Sequence, residues 1–235
     1  MVKVGFSQVD GLLRLVNLPP SPTLQFLRDR KDYLIGDNQR SYNQATFLKD
    51  AIVSYTDWGS KLPQPMQYLA YKIVDTDMPY DKAQEFLKMF LASGIYKNPD
   101  NIEIVVKPGD NFIRQEIHYQ TTQQDWQSDP DFKNYQNDVT GYLDDIISRA
   151  NYLIDKHQYE AANSLVTTPL NQRLWLQIEN ESDRNTLHFN LIATFVYSST
   201  DHKKSKSLLN DFILEMDQAK NTLLKSQAEE LLKML

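Results

Sequence analysis

Apolar residues recur at two spacings along the first half of the chain. Alternation, or a run of β-branched residues, predicts strands at residues 2–6, 23–30, 102–106 and 112–119. Helical spacing predicts helices at residues 9–16, 39–58, 63–74 and 81–91. Strands and helices therefore alternate, which favours an α/β layered fold for this half of the chain.

The second half shows only helical spacing. A polar, glutamine-rich segment, QTTQQDWQSDPDFKN, follows Tyr119, and helices are predicted beyond it at residues 135–156, 158–166, 184–197 and 203–235. We place a domain boundary in this segment. The predicted organisation is an α/β domain at residues 1–120, a linker at 121–134 and an all-α domain at 135–235.

Two stretches of the predicted all-α domain resemble each other. ISRANYLIDKHQYEAANSLV and FNLIATFVYSSTDHKKSKSLL both have the order helix, polar turn, helix, and they lie about 43 residues apart. This order predicts tetratricopeptide-like helical hairpins, although that repeat is usually about 34 residues long.

Composition and charge narrow the possible functions. The chain has 25 Lys and Arg against 31 Asp and Glu, a formal net charge of −6, which argues against a protein that coats nucleic acid. It has no Cys, and its four His residues show no metal-ligand spacing, so these residue types predict no metal site. We expect no membrane span and no signal peptide in this chain, because no segment approaches ~20 apolar residues and the start lacks the required charge order.

One segment of this acidic chain is rich in arginine. Arg28 and Arg30 would point the same way on a predicted strand, and Arg40 and Gln44 would share one face of the next helix. The N–H donors of a guanidinium group fit the geometry of phosphate oxygens. The first turn of a helix offers further backbone N–H groups that have no partner within the helix. The four side chains therefore predict an anion-binding site. The alternative is a solvated charged loop, in which ion pairs contribute only ~0–1 kcal/mol.

The order of these residues resembles the LytR-CpsA-Psr family. The resemblance is carried by an Arg-x-Arg strand, a loop containing Gly36-Asp37, and Arg40-x-x-x-Gln44 opening a helix that continues FLKDAI. The flanking segments VKVGFSQVDGLLRLV and IEIVVKPGDNFIRQEIHY are similar to the family as well, so the resemblance covers about residues 1–119.

The resemblance implies an α/β/α layered, extracytoplasmic domain of the cell envelope. Members of the family transfer glycopolymers from a polyprenyl-pyrophosphate carrier to the cell wall, with Mg²⁺ bridging the pyrophosphate oxygens. By position, the pyrophosphate-binding residues would be Arg28, Arg30, Arg40 and Gln44. Asp37 and Asn43 would have supporting roles. The implied partner is a polyprenyl-phosphate-linked glycan or lipid.

Two departures from the family pattern bear on activity. Asn43 stands where the family has a second helix arginine, which removes a positive charge. The N-terminal half of the family's domain, with its metal-binding acidic residues, has no counterpart in this sequence, so the Mg²⁺ site is predicted to be incomplete. We therefore expect a complete domain of this kind to be a glycopolymer phosphotransferase, and this chain alone to be inactive.

A second hypothesis comes from residues 135–235, which the resemblance does not cover. Under it, the chain is a non-catalytic interaction or scaffold protein of the cell envelope that binds another envelope protein through its helical domain. The additional helices favour this hypothesis, whereas the arginine-rich segment favours the first.

Overall fold

The computed structural model describes residues 2–15, 18, 23, 27, 37–105 and 130–235. Contacts within the chain separate it into two compact units, Met1–Gln124 and Asp125–Leu235. The division falls within residues 121–134, the segment predicted as a linker.

The described part of the first unit is mainly helical. Its elements are β1 (Val2–Lys3), α1 (Phe6–Leu15), α2 (Asp37–Ser60), α3 (Gln64–Ile73), β2 (Asp75–Thr76) and α4 (Tyr80–Ser93), followed by single 3₁₀ turns at Ile95–Lys97 and Pro99–Asn101. Pro63 is the residue that precedes α3. Proline suits this position because the first N–H groups of a helix have no partner within the helix. Gly94 ends α4 at a φ of 65°, a conformation that glycine adopts without strain.

A short pair of strands joins the start of the chain to the end of α3. Val2 pairs with Thr76 and Lys3 with Asp75 in antiparallel register. The Gln8 side chain supports this pairing, because its amide donates a 2.9 Å hydrogen bond to Asp75 Oδ2 and its oxygen accepts from the nearby backbone. α1 then packs against α3.

A second contact joins α2 to the 3₁₀ turn that follows α4. Tyr96 is 4% exposed, and its hydroxyl donates a 2.5 Å hydrogen bond to Asp57 Oδ1 on α2. The Tyr96 ring also lies 5.7 Å from the ring of Phe90 on α4. This tyrosine therefore holds α2 and α4 together.

The α/β/α layered fold predicted for residues 1–120 is wrong. In the part of this unit that the structure describes, the only paired extended residues are the two-residue strands β1 and β2. The strand predicted at residues 2–6 stops at Lys3, since α1 begins at Phe6. Residues 102–105 form no strand, because β-branched residues stabilise a strand only where a neighbour pairs with them.

The predicted strand at residues 23–30 fails for a reason of spacing. Thr23 and Leu27, the two described residues of this segment, are both helical and both buried. They lie four residues apart, a spacing that places two residues on one face of a strand and of a helix alike, so the pattern did not distinguish the two. The strand predicted at residues 112–119 lies outside the described residues.

The second unit consists of helices joined by short turns. They are α5 (Pro130–Asp155), α6 (Tyr159–Gln172), α7 (Glu181–Ser198), α8 (His202–Gln218) and α9 (Thr222–Lys233), with a 3₁₀ turn at Leu174–Gln177 between α6 and α7. Each helix packs against the next along the chain, and α7 also packs against α5 and α9. Helices α5, α7 and α9 therefore form one layer, and α6 and α8 form the other.

A period of 43 residues relates the two helix pairs α5/α6 and α7/α8. α6 begins at Tyr159 and α8 at His202, and α5 ends at Asp155 and α7 at Ser198. The buried positions obey the same period: Ala162, Val166 and Pro169 on α6 correspond to Ser205, Leu209 and Phe212 on α8. The unit is thus a stack of repeated helix pairs, with a period longer than the roughly 34 residues of a tetratricopeptide repeat.

The central helix of the stack is α7. Nine of its 18 residues are buried, and they point in several directions, because neighbours surround most of the helix. No helix in the described ranges is both long and apolar enough to cross a membrane.

Candidate functional site

Part of the predicted pyrophosphate site lies on α2. Arg40 and Gln44 lie one turn apart near the start of this helix, and both are partly exposed. The Gln44 side-chain amide donates a 2.8 Å hydrogen bond to the backbone oxygen of Leu27. Gln44 therefore attaches the chain at Leu27 to α2, and it would have to break this bond to reach a pyrophosphate.

The other predicted site residues are placed differently. Asn43 is only 1% exposed, so it belongs to the interior of the unit. Asp37 is the first residue of α2. Arg28 and Arg30 lie outside the described residues, so the pyrophosphate site stays a prediction. The Mg²⁺ that the resemblance implies also stays a prediction. Within the described ranges, no three His, Asp or Glu side chains gather as metal ligands.

The helical unit offers a different candidate site, which the surroundings of α7 define. On α7, Thr194 faces α5, Ser198 faces α6 and His188 faces α8, as their side-chain contacts show. α9 packs on the remaining flank. One stripe of α7, between α5 and α9, is left open to solvent.

This stripe of α7 consists of small and polar residues with one aromatic end. Its members follow helical spacing and are Ser182, Thr186, Asn190, Ala193 and Tyr197. Tyr197 is 54% exposed, whereas Leu191 and Phe195 on the opposite side are buried. The stripe therefore forms the middle of an exposed surface on the α5, α7 and α9 layer.

The neighbouring helices extend the surface on both sides. On α5, the exposed residues next to the α7 contact are Asn137, Gly141, Asp144, Ser148, Tyr152 and Asp155. On α9 and at its C-cap, the exposed residues that follow one stripe are Leu223, Gln227, Glu230 and Met234. Asn180 and Asn221 cap the starts of α7 and α9, each accepting a 3.1 Å hydrogen bond from the backbone N–H three residues ahead. We call these three stripes together the open face.

The register of α5 against α7 is set by polar contacts at both ends. Near the start of α5, Gln136 donates a 2.9 Å hydrogen bond to the backbone oxygen of Gln177 and accepts a 2.7 Å hydrogen bond from the backbone of Glu179. Near the other end, the Thr194 hydroxyl donates to Asn151 Oδ1 over 3.3 Å. The two helices are therefore parallel, and their stripes lie side by side.

The chemistry of the open face is aromatic, apolar and acidic. Among its large side chains, Tyr152 is 61% exposed, Leu223 69% and Met234 71%. The charged residues at its positions are Asp144, Asp155 and Glu230, and the Nζ of Lys156, next to Asp155, lies 5.5 Å from the centroid of the Tyr152 ring. Exposed aromatic side chains are enriched where proteins bind other proteins.

Sequence reasoning missed the open face because it depends on packing. The tyrosines at 152 and 197 are two among 13 in the chain, and their spacing alone does not separate them from buried ones. The signal that could have found them is the 43-residue echo, since a repeat predicts that equivalent helices lie in one layer.

Comparison with known proteins gives no relative. No family model matches the chain, no curated protein matches it, and no solved structure matches its fold.

Proposed function

We propose that this chain is a non-catalytic interaction protein whose helical unit binds a segment of a partner protein on the open face. The observation that carries the proposal is the repeated helix pair, which aligns α5, α7 and α9 in one layer and leaves their outer stripes exposed. Stacked helix pairs build extended surfaces of this kind, and such surfaces commonly serve in binding.

The side chains of the open face support binding of a polypeptide. Tyr152 and Tyr197 are exposed at the C-terminal ends of adjacent parallel helices. Tyrosine has a large apolar ring and a polar hydroxyl, so it contributes to contacts without needing to be fully buried beforehand. Small residues such as Ser148 and Ala193 lie beside them and leave room for a bound segment.

The phosphotransferase hypothesis lacks comparable support. It assumed a layered α/β domain around the arginine-rich segment, and the described residues of the first unit form helices instead. The helical unit therefore carries the proposed function.

Peptide selection with the full chain tests the proposal. Immobilised protein is exposed to a displayed library of short peptides, and enriched peptides are tested against a Tyr152→Ser/Tyr197→Ser variant. We expect this variant to lose at least about tenfold in affinity, because it removes two exposed rings from the face. Far-UV circular dichroism verifies that the variant remains folded.

Tyr159→Ser is the matched control. Tyr159 is also exposed, at 45%, but it lies at the start of α6 in the other helical layer. Its substitution should leave the affinity unchanged. Equal binding by wild type and by the Tyr152→Ser/Tyr197→Ser variant, or failure to enrich any peptide, would contradict the proposal.

A further inference from the structure

We draw no further inference here: the strongest candidate, the open face of the helical unit with its exposed side chains of Tyr152, Leu223 and Met234, carries none because nothing in the structure shows what covers it.

Discussion

The imidazole of His188 stacks on the indole of Trp175, with ring centroids 3.8 Å apart and an angle of 11° between the planes. The same imidazole meets the edge of Phe212 at 5.0 Å, and its Nδ1 lies 3.2 Å from Glu215 Oε2. His188 therefore joins α7 to α8 and to the turn that precedes α7. Its role is structural, at the centre of the helical unit.

Replacing His188 should destabilise the helical unit. His188→Ala removes the stacked ring and leaves a cavity among Trp175 and Phe212, so we expect the free energy of unfolding to fall by about 2–4 kcal/mol. Urea unfolding followed by circular dichroism measures the change. His202→Ala, at an exposed position on α8, is the control and should change it by less than about 0.5 kcal/mol. Similar effects of both substitutions would argue against a structural role for the stack.

The contact between Tyr96 and Asp57 predicts a dependence of stability on alkaline pH. The hydrogen bond to Asp57, together with burial, raises the pKa of Tyr96 above its ordinary value of 10.0. A group whose pKa is higher in the folded state stabilises the fold below its unfolded pKa and loses this contribution as pH rises through the folded value. We therefore expect the first unit to lose stability above pH 10.0, and to lose less of it in a Tyr96→Phe variant.

Absorbance titration of the tyrosines gives the direct measurement. The difference between the wild-type and Tyr96→Phe curves isolates this tyrosine, and we expect its pKa to lie above the ordinary value of 10.0. An unchanged titration curve would show that the hydrogen bond to Asp57 does not hold the proton.

The turn between α8 and α9 carries strain that glycine would remove. Lys220 has a φ of 56°, in the left-handed region, and the next residue's N–H donates a 2.9 Å hydrogen bond to the Met216 carbonyl, as in a helix end that favours glycine. Lys220→Gly should raise the free energy of unfolding by about 0.5–1 kcal/mol. Thermal unfolding measures the change. Gly94→Ala, at a φ of 65° with no close neighbour, should lower stability by about 1 kcal/mol.

The helical unit should fold without the first unit. Residues 125–235 form a compact unit, and their buried core includes Leu143, Ile192 and Phe212 from three different helices. We expect the isolated segment to have helical circular dichroism and to unfold cooperatively in urea. A broad, non-cooperative transition of the isolated segment would contradict this expectation.

The sequence predicts where helices lie better than it predicts where they end and which helices they pack against. Helical spacing places helices over most of residues 130–235, but the segment predicted as one helix at 203–235 is two, α8 and α9. The turn at Lys220 contains neither glycine nor proline, and its one residue-type signal is Asn221, which caps α9. Leu224 and Leu231 of α9 are buried, and α9 packs on α7 and α8.

The strand predictions failed where the segments were short. Four or five residues, as at Ile102–Val105, fit a strand and an irregular segment equally well, and only a pairing partner distinguishes them. The candidate site could not be predicted for a related reason. Tyr152 and Tyr197 belong to one surface only because α5 and α7 are parallel, and this follows from contacts such as Asn151 with Thr194.

The position of α7 determines where the helical unit can tolerate change. Every other helix of the unit packs against α7. Most substitutions along α7 must therefore be matched by a compensating change in a second helix. The exposed positions of its open stripe, Ser182, Thr186 and Tyr197, are the exception, because a new side chain there meets mainly solvent. A change of binding preference could thus arise along this stripe by single substitutions, without loss of the fold.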